Sequence, residues 1–179
     1  MIYSMEDSRN VVDKFKGWPH QKIVEELDRC GVGLHIAVEN IERDYNMGTI
    51  VRSANAFGVR HVHIIGRRQW NKRGAMMTDK YLHVHYYPSV QEFVDEMKKT
   101  GRLIVAIENN VDSKPLSQSD FPLNCVLVFG SEANGISQEL LRLSDEIRYI
   151  EQLGSTRSLN VGVAAGIAMY QWLKIRPKT

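Results

Sequence analysis

Residues 147–173, IRYIEQLGSTRSLNVGVAAGIAMYQWL, decide how this chain is read. Ile147, Tyr149 and Ile150 form a short strand pattern that runs into a polar loop through Gly154, Ser155, Thr156 and Arg157. Ser158-Leu159-Asn160 then opens a run to Leu173 in which Gly162, Ala165, Gly166 and Ala168 alternate with larger apolar residues. Small residues at helical spacing allow close backbone approach to a neighbour. A loop that ends a strand and opens a helix presents amide groups and fixed polar side chains to a ligand. Taken alone, the stretch is also the pattern of an ordinary buried helix with a serine cap.

Two upstream stretches share the design. Cys125-Val-Leu-Val-Phe129 is a continuous apolar run, as in a strand covered on both faces, and Gly130-Ser-Glu-Ala-Asn-Gly135 follows it, with Ser137 capping a helix to Leu143. Leu34–Val38 reads as a strand, followed by a polar loop over residues 40–45 and a helix over residues 46–57 with Met47, Ile50, Val51, Ala54 and Phe57 as its apolar stripe. Further strands are predicted at residues 61–65, 82–87 and 103–107, and helices at 19–30 and 89–99. Strands alternating with helices call for an α/β fold with a mostly parallel sheet flanked by helices. In such sheets ligands sit beyond the carboxyl ends of the strands. Three polar clusters, around Asn46 and Arg52, Gly130–Gly135 and Gly154–Asn160, are therefore expected at one crevice.

The 179 residues, 43% hydrophobic and 25% charged, fit one α/β domain with a short appendage. We divide them into an N-terminal helical extension, 1–30, and a catalytic-type domain, 31–179. A net charge of +2 does not by itself indicate nucleic acid, but Arg60, Arg67, Arg68, Lys72, Arg73 and Lys80 face a single acid, Asp79, across one segment that also holds Trp70. Cys30 and Cys125 have no metal or redox spacing, no secretion signal precedes the domain, and the most apolar window is too short to span a membrane. The first strand runs into Glu39-Asn40-Ile41-Glu42 without a G-x-G-x-x-G turn, which excludes a conventional dinucleotide site.

Asn46-x-Gly48-x-x-x-Arg52-Ser53-Ala54, Val128-Phe-Gly-Ser-Glu-Ala-Asn-Gly135 and Gly154-x-x-x-Ser158-Leu-Asn160-Val161 together closely resemble the three motifs of the SpoU/TrmH branch of the SPOUT RNA methyltransferases. The likeness runs from Val32 to Leu173, in order and separation. It implies a C-terminal trefoil knot, a homodimer, and transfer of a methyl group from S-adenosylmethionine to a ribose 2′-hydroxyl of tRNA or rRNA. Carried over position by position, the resemblance makes Asn46, Arg52, Glu132, Ser158 and Asn160 the reactive residues. It makes Phe129, Gly130, Ile150, Leu153 and Leu159 the cofactor-binding positions. Arg67, Arg68, Trp70 and Arg73 are read as the RNA-binding segment, with Trp70 stacking on a base. No metal and no membrane are expected, and the compartment is cytoplasmic.

Where the family usually has Ile-Pro-Met, this chain has Ile150-Glu151-Gln152, and Gly162 replaces a common serine after Asn160-Val161. These departures keep a non-catalytic RNA-binding relative of the same fold as the alternative, and a nucleotide-binding metabolic enzyme as a third reading. His61 and His63, like His83 and His85, alternate at strand spacing and read as surface histidines of strands. Since only about thirty residues precede the first strand, RNA recognition is assigned to the core, aided by the polar N-terminus and by Lys174, Arg176 and Lys178.

Overall fold

The structure is a computed structural model that describes residues 11–40, 44–70, 72–109, 113–118 and 120–176. The expectations for residues 1–10, for 41–43 of the 40–45 loop and for Lys178 fall outside these. Seven strands form one parallel sheet: β1 Val32–Glu39, β2 Val59–Ile65, β3 His83–Tyr87, β4 Leu103–Ile107, β5 Lys114–Pro115, β6 Cys125–Phe129 and β7 Glu146–Tyr149. Their spatial order is β3-β2-β1-β6-β4-β7-β5, which puts the apolar β6 between β1 and β4. Among the described residues the α-helices are α1 His20–Cys30, α2 Asp44–Ala56, α3 Val90–Lys99, α4 Gln138–Leu143 and α5 Val161–Ile175.

Local chemistry sets these boundaries. Ser89 accepts a bond from the Glu92 amide and donates its hydroxyl to the Glu92 carboxylate, a reciprocal cap that starts α3, and Gly101 at φ +63° ends the turn after it. Ser137 caps α4 by accepting from the Leu140 amide at 3.2 Å. The predicted strands and helices are all present, and the two-residue β5, too short to leave a period, is additional.

Helices α2 and α5 cover one face of the sheet over Leu34, Ile36, Ile50, Ala165, Met169 and Trp172, while α3 and α4 cover the other over Ala37, Phe93, Val94, Val126 and Leu140. The small residues of α5 serve two ends. Ala165 and Ala168 are buried, and a Cβ on Gly162 would come within 3.1 Å of Thr49 on α2, whereas Gly166 faces open space. A smaller cluster of Phe15, Ile23 and Tyr81 seats α1, and the Arg60 guanidinium joins it to the sheet through Asp28 at 2.8 Å.

The histidines are not simple surface residues. The parallel register places His35 beside His61, His61 beside His83, and His63 beside His85. Their rings stack with centroids 4.4–5.2 Å apart, and diagonal hydrogen bonds join His35 Nδ1 to His63 Nε2 at 2.9 Å and His61 Nδ1 to His85 Nε2 at 3.0 Å. Burial pushes His35 down to about 3, His61 to about 4 and His63 to about 2, each helped by neighbouring imidazoles and Arg102. Of the two thiols, Cys125 is buried and pushed up to about 12, and Cys30 is exposed.

Candidate active site

Beyond the carboxyl ends of β4, β6 and β7 lies a cavity of about 550 Å³, inside the range of about 300–1,000 Å³ usual for ligand pockets. Its floor is the turn after β6. Ser131 and Gly135 exchange backbone bonds at 3.1 and 2.9 Å, and the Asn134 amide donates to Ser131 Oγ. A Cβ on Gly130 would lie 2.0 Å from the Gly135 carbonyl carbon, so this hairpin closes only over glycine. Two carboxylates fix its exit: Glu39, from the end of β1, accepts from the Ser137 amide at 2.8 Å, and Glu108, just past β4, accepts from the Ile136 amide at 3.0 Å. The strands flanking β6 thus both grip the turn that follows it.

At the mouth, one side-chain amide joins the three polar clusters. Asn160 caps α5 by accepting at Oδ1 from the Gly162 and Val163 amides, at 3.0 and 3.2 Å. Its Nδ2 donates to Asn46 Oδ1 at 2.9 Å and to Glu132 Oε1 at 2.8 Å. Both hydrogens and the oxygen are committed, which fixes the relative position of α2, the turn after β6 and the start of α5. Asn46 is not a helix cap: α2 starts at Asp44, so Asn46 lies inside its first turn, where its side chain turns to Asn160.

Of the predicted reactive residues, Asn46, Glu132, Ser158 and Asn160 line the cavity and Arg52 does not. Arg52 is exposed on the face of α2 that also carries Thr49. Of the predicted cofactor positions, Phe129, Gly130, Ile150 and Leu159 line the cavity, while Leu153 is fully exposed and outside it. Arg67, Arg68, Trp70 and Arg73 all lie away from it. Trp70 is partly buried against the α2 side of the core with the Lys72 ammonium 5.8 Å from its ring, so the structure presents a packed tryptophan where a free stacking platform was expected. Gly48 lies where the basic segment crosses α2. A Cβ there would meet the Gly74 backbone at 2.6 Å, so the glycine admits the basic segment against α2.

The sequence reading missed Glu108, Asn109 and Gln152, which also line the cavity. Position after a strand end was their only signal, and the positions after β2 share it without reaching the cavity. The cavity's electrostatics are one-sided. Its only charged lining residues among those described are Glu108 and Glu132, with apolar walls from Ile107, Phe129, Ile150 and Leu159. Such a site suits a flat apolar ligand carrying positive charge and opposes a polyphosphate. No group of three or more His, Cys, Asp or Glu among the described residues is arranged to hold a metal ion.

Comparison with known proteins identifies the family. Residues 33–170 match the model of the SpoU rRNA Methylase family. The chain is 28% identical over 166 residues to a tRNA (guanosine(18)-2′-O)-methyltransferase of Thermus thermophilus, covering 88% of this chain and 83% of that protein. It is 27% identical over 155 residues to the Escherichia coli K12 enzyme of the same name, covering 85% and 68%. Among solved structures, the Aquifex aeolicus TrmH/SpoU tRNA modifying enzyme superposes with a TM-score of 0.77 at 26% identity, covering 88% of this chain and 84% of that one.

Proposed function

The chain belongs to the SpoU rRNA Methylase family, and on that premise we propose that it is an S-adenosylmethionine-dependent enzyme that methylates a ribose 2′-hydroxyl of RNA, with tRNA as the substrate. The observation that carries this is the Asn160 amide bridging Asn46 and Glu132 at the mouth of an acidic, apolar-walled cavity. The residues present fit the cofactor. Glu108 and Glu132 complement its positive charge, and the apolar walls of Ile107, Phe129, Ile150 and Leu159 suit its purine. The tRNA assignment follows the names of the relatives.

When bound, S-adenosylmethionine supplies an electrophilic methyl group on a sulfonium. The chain's residues then orient the attacking hydroxyl and help remove its proton, since a ribose hydroxyl is a poor acid. Glu132, held through Oε1 by Asn160, is the carboxylate placed to accept that proton. Arg52, from the exposed face of α2, binds the phosphate of the incoming nucleotide through its forked guanidinium. Arg67, Arg68 and Arg73 extend this contact along the RNA backbone.

The same reading includes a homodimer. Val163, Ile167 and Tyr170 form an exposed apolar stripe on α5 next to the open Gly166, with Tyr170 and Val163 more than half accessible. A second copy is the natural cover, and Arg52 on the adjoining face of α2 would lie at the seam. The reading also includes the family's C-terminal knot, the division at residue 30 and a cytoplasmic site of action. No helix among the described residues is long and apolar enough to cross a membrane.

Arg52→Ala and Glu132→Ala test the assignment. Both variants are expected to fold and to bind S-adenosylhomocysteine in a calorimeter, yet to lose tritium transfer from labelled cofactor to tRNA by at least about a hundredfold. Full transfer in both variants would remove the catalytic assignment. A wild-type chain that retains RNA but binds no cofactor would favour the non-catalytic alternative.

A further inference from the structure

Among the described residues lining the cavity, Gln152 alone carries a polar side-chain atom that is buried and has no hydrogen-bond partner, its Oε1. The segment leading into it is held at two points. Leu116 N donates to Tyr149 O at 2.7 Å, and the Ser117 hydroxyl donates to the Glu151 carboxylate. Successive side chains of an extended segment point to opposite sides. With Glu151 drawn outward to Ser117, Gln152 is directed to the cavity. A buried amide oxygen with no donor is an unmet cost in the free protein, removed by any ligand that brings an N–H group to it.

We propose that Gln152 is a ligand-reading residue whose carboxamide oxygen accepts a hydrogen bond from an N–H donor of the nucleoside cofactor. This rests on the cofactor assignment above. The cofactor has two such donors, the purine amino group and the ammonium of its amino-acid arm.

Calorimetry on the full chain with S-adenosylhomocysteine tests this, using the wild type, Gln152→Met and Gln152→Glu, together with the melting temperature of each free protein. Gln152→Met is expected to bind about tenfold more weakly, while its free form melts no lower than wild type because the unpaired acceptor is gone. Gln152→Glu, which can only accept, is expected to stay within about threefold of wild type. With 5′-methylthioadenosine, which keeps the purine and lacks the amino-acid arm, the same tenfold loss assigns the purine amino group, and no loss assigns the ammonium. Equal binding by Gln152→Met and wild type would overturn the proposal, as would weaker binding accompanied by a lower melting temperature of the free variant. Failure of the wild type to bind S-adenosylhomocysteine would instead overturn the cofactor assignment, and this proposal with it.

Discussion

Acidification from pH 7 to pH 5 should destabilise this protein through its stacked histidines. In the fold His35 and His63 share a hydrogen bond of 2.9 Å, which needs one ring nitrogen to donate and the other to accept. A proton added to either ring puts a positive charge into a buried array, between His61 and His85 and under Arg102, with Asp28 and Glu96 the acids acting on it, and protons on both rings would also set two donors against each other. The folded values of about 3 for His35 and about 2 for His63 keep both neutral at pH 5, whereas in the unfolded chain both protonate below 6.5. A histidine with a depressed folded pKa stabilises fully above its unfolded pKa, and that stability is lost as pH falls towards the folded value. For each such group the loss between pH 7 and pH 5 is about 2 kcal/mol, so the pair gives about 4 kcal/mol. His61 and His85 are more exposed and left out. Depressed carboxylates contribute little in this window, because the unfolded values of Glu26 and Asp28, 4.5 and 3.8, already lie below pH 5. Urea denaturation followed by tryptophan fluorescence at pH 7, 6 and 5, at constant ionic strength, measures the loss. A His35→Gln/His63→Gln variant should show a much shallower pH dependence. A loss below about 1 kcal/mol in the wild type would refute the reasoning, since even one neutral buried histidine exceeds that.

Replacing Asn160 with Asp sets a carboxylate against Glu132 and removes the donor to Asn46, so methyl transfer should fall at least about a hundredfold while circular dichroism stays native. Gly48→Ala puts a methyl group into the Gly74 backbone, and should cost about 1–3 kcal/mol in thermal or urea unfolding and increase amide exchange at residues 72–75. Tyr170→Asp introduces charge into the apolar stripe of α5 and should shift the sedimentation coefficient from dimer to monomer, with little change in circular dichroism.

Much of this architecture was legible from period alone. The runs at Cys125–Phe129 and Leu103–Ile107 gave their strands residue for residue, because a strand buried on both faces leaves no polar interruption. The cavity was legible because parallel strands deliver their following loops to one edge, which placed Asn46, Glu132, Ser158 and Asn160 together. What sequence could not show were facts about packing direction. Leu153 follows the motif yet turns outward, Trp70 is claimed by the core, and Gly48 is small because another backbone passes it. The histidine spacing within β2 and β3 was visible, but that His35 on β1 joins the same row depends on register, which no single strand encodes.

The Asn160 junction also has a consequence for synthesis. Its four partners, on three segments, span residues 46 to 163, so the last pieces of the site emerge from the ribosome more than a hundred codons after the first. A nascent chain carrying β1, α2 and the turn after β6 has most of the polar side chains of the site and no means of holding them. Catalytic competence should therefore switch on with completion of α5, which keeps half-made chains from modifying the RNA around them.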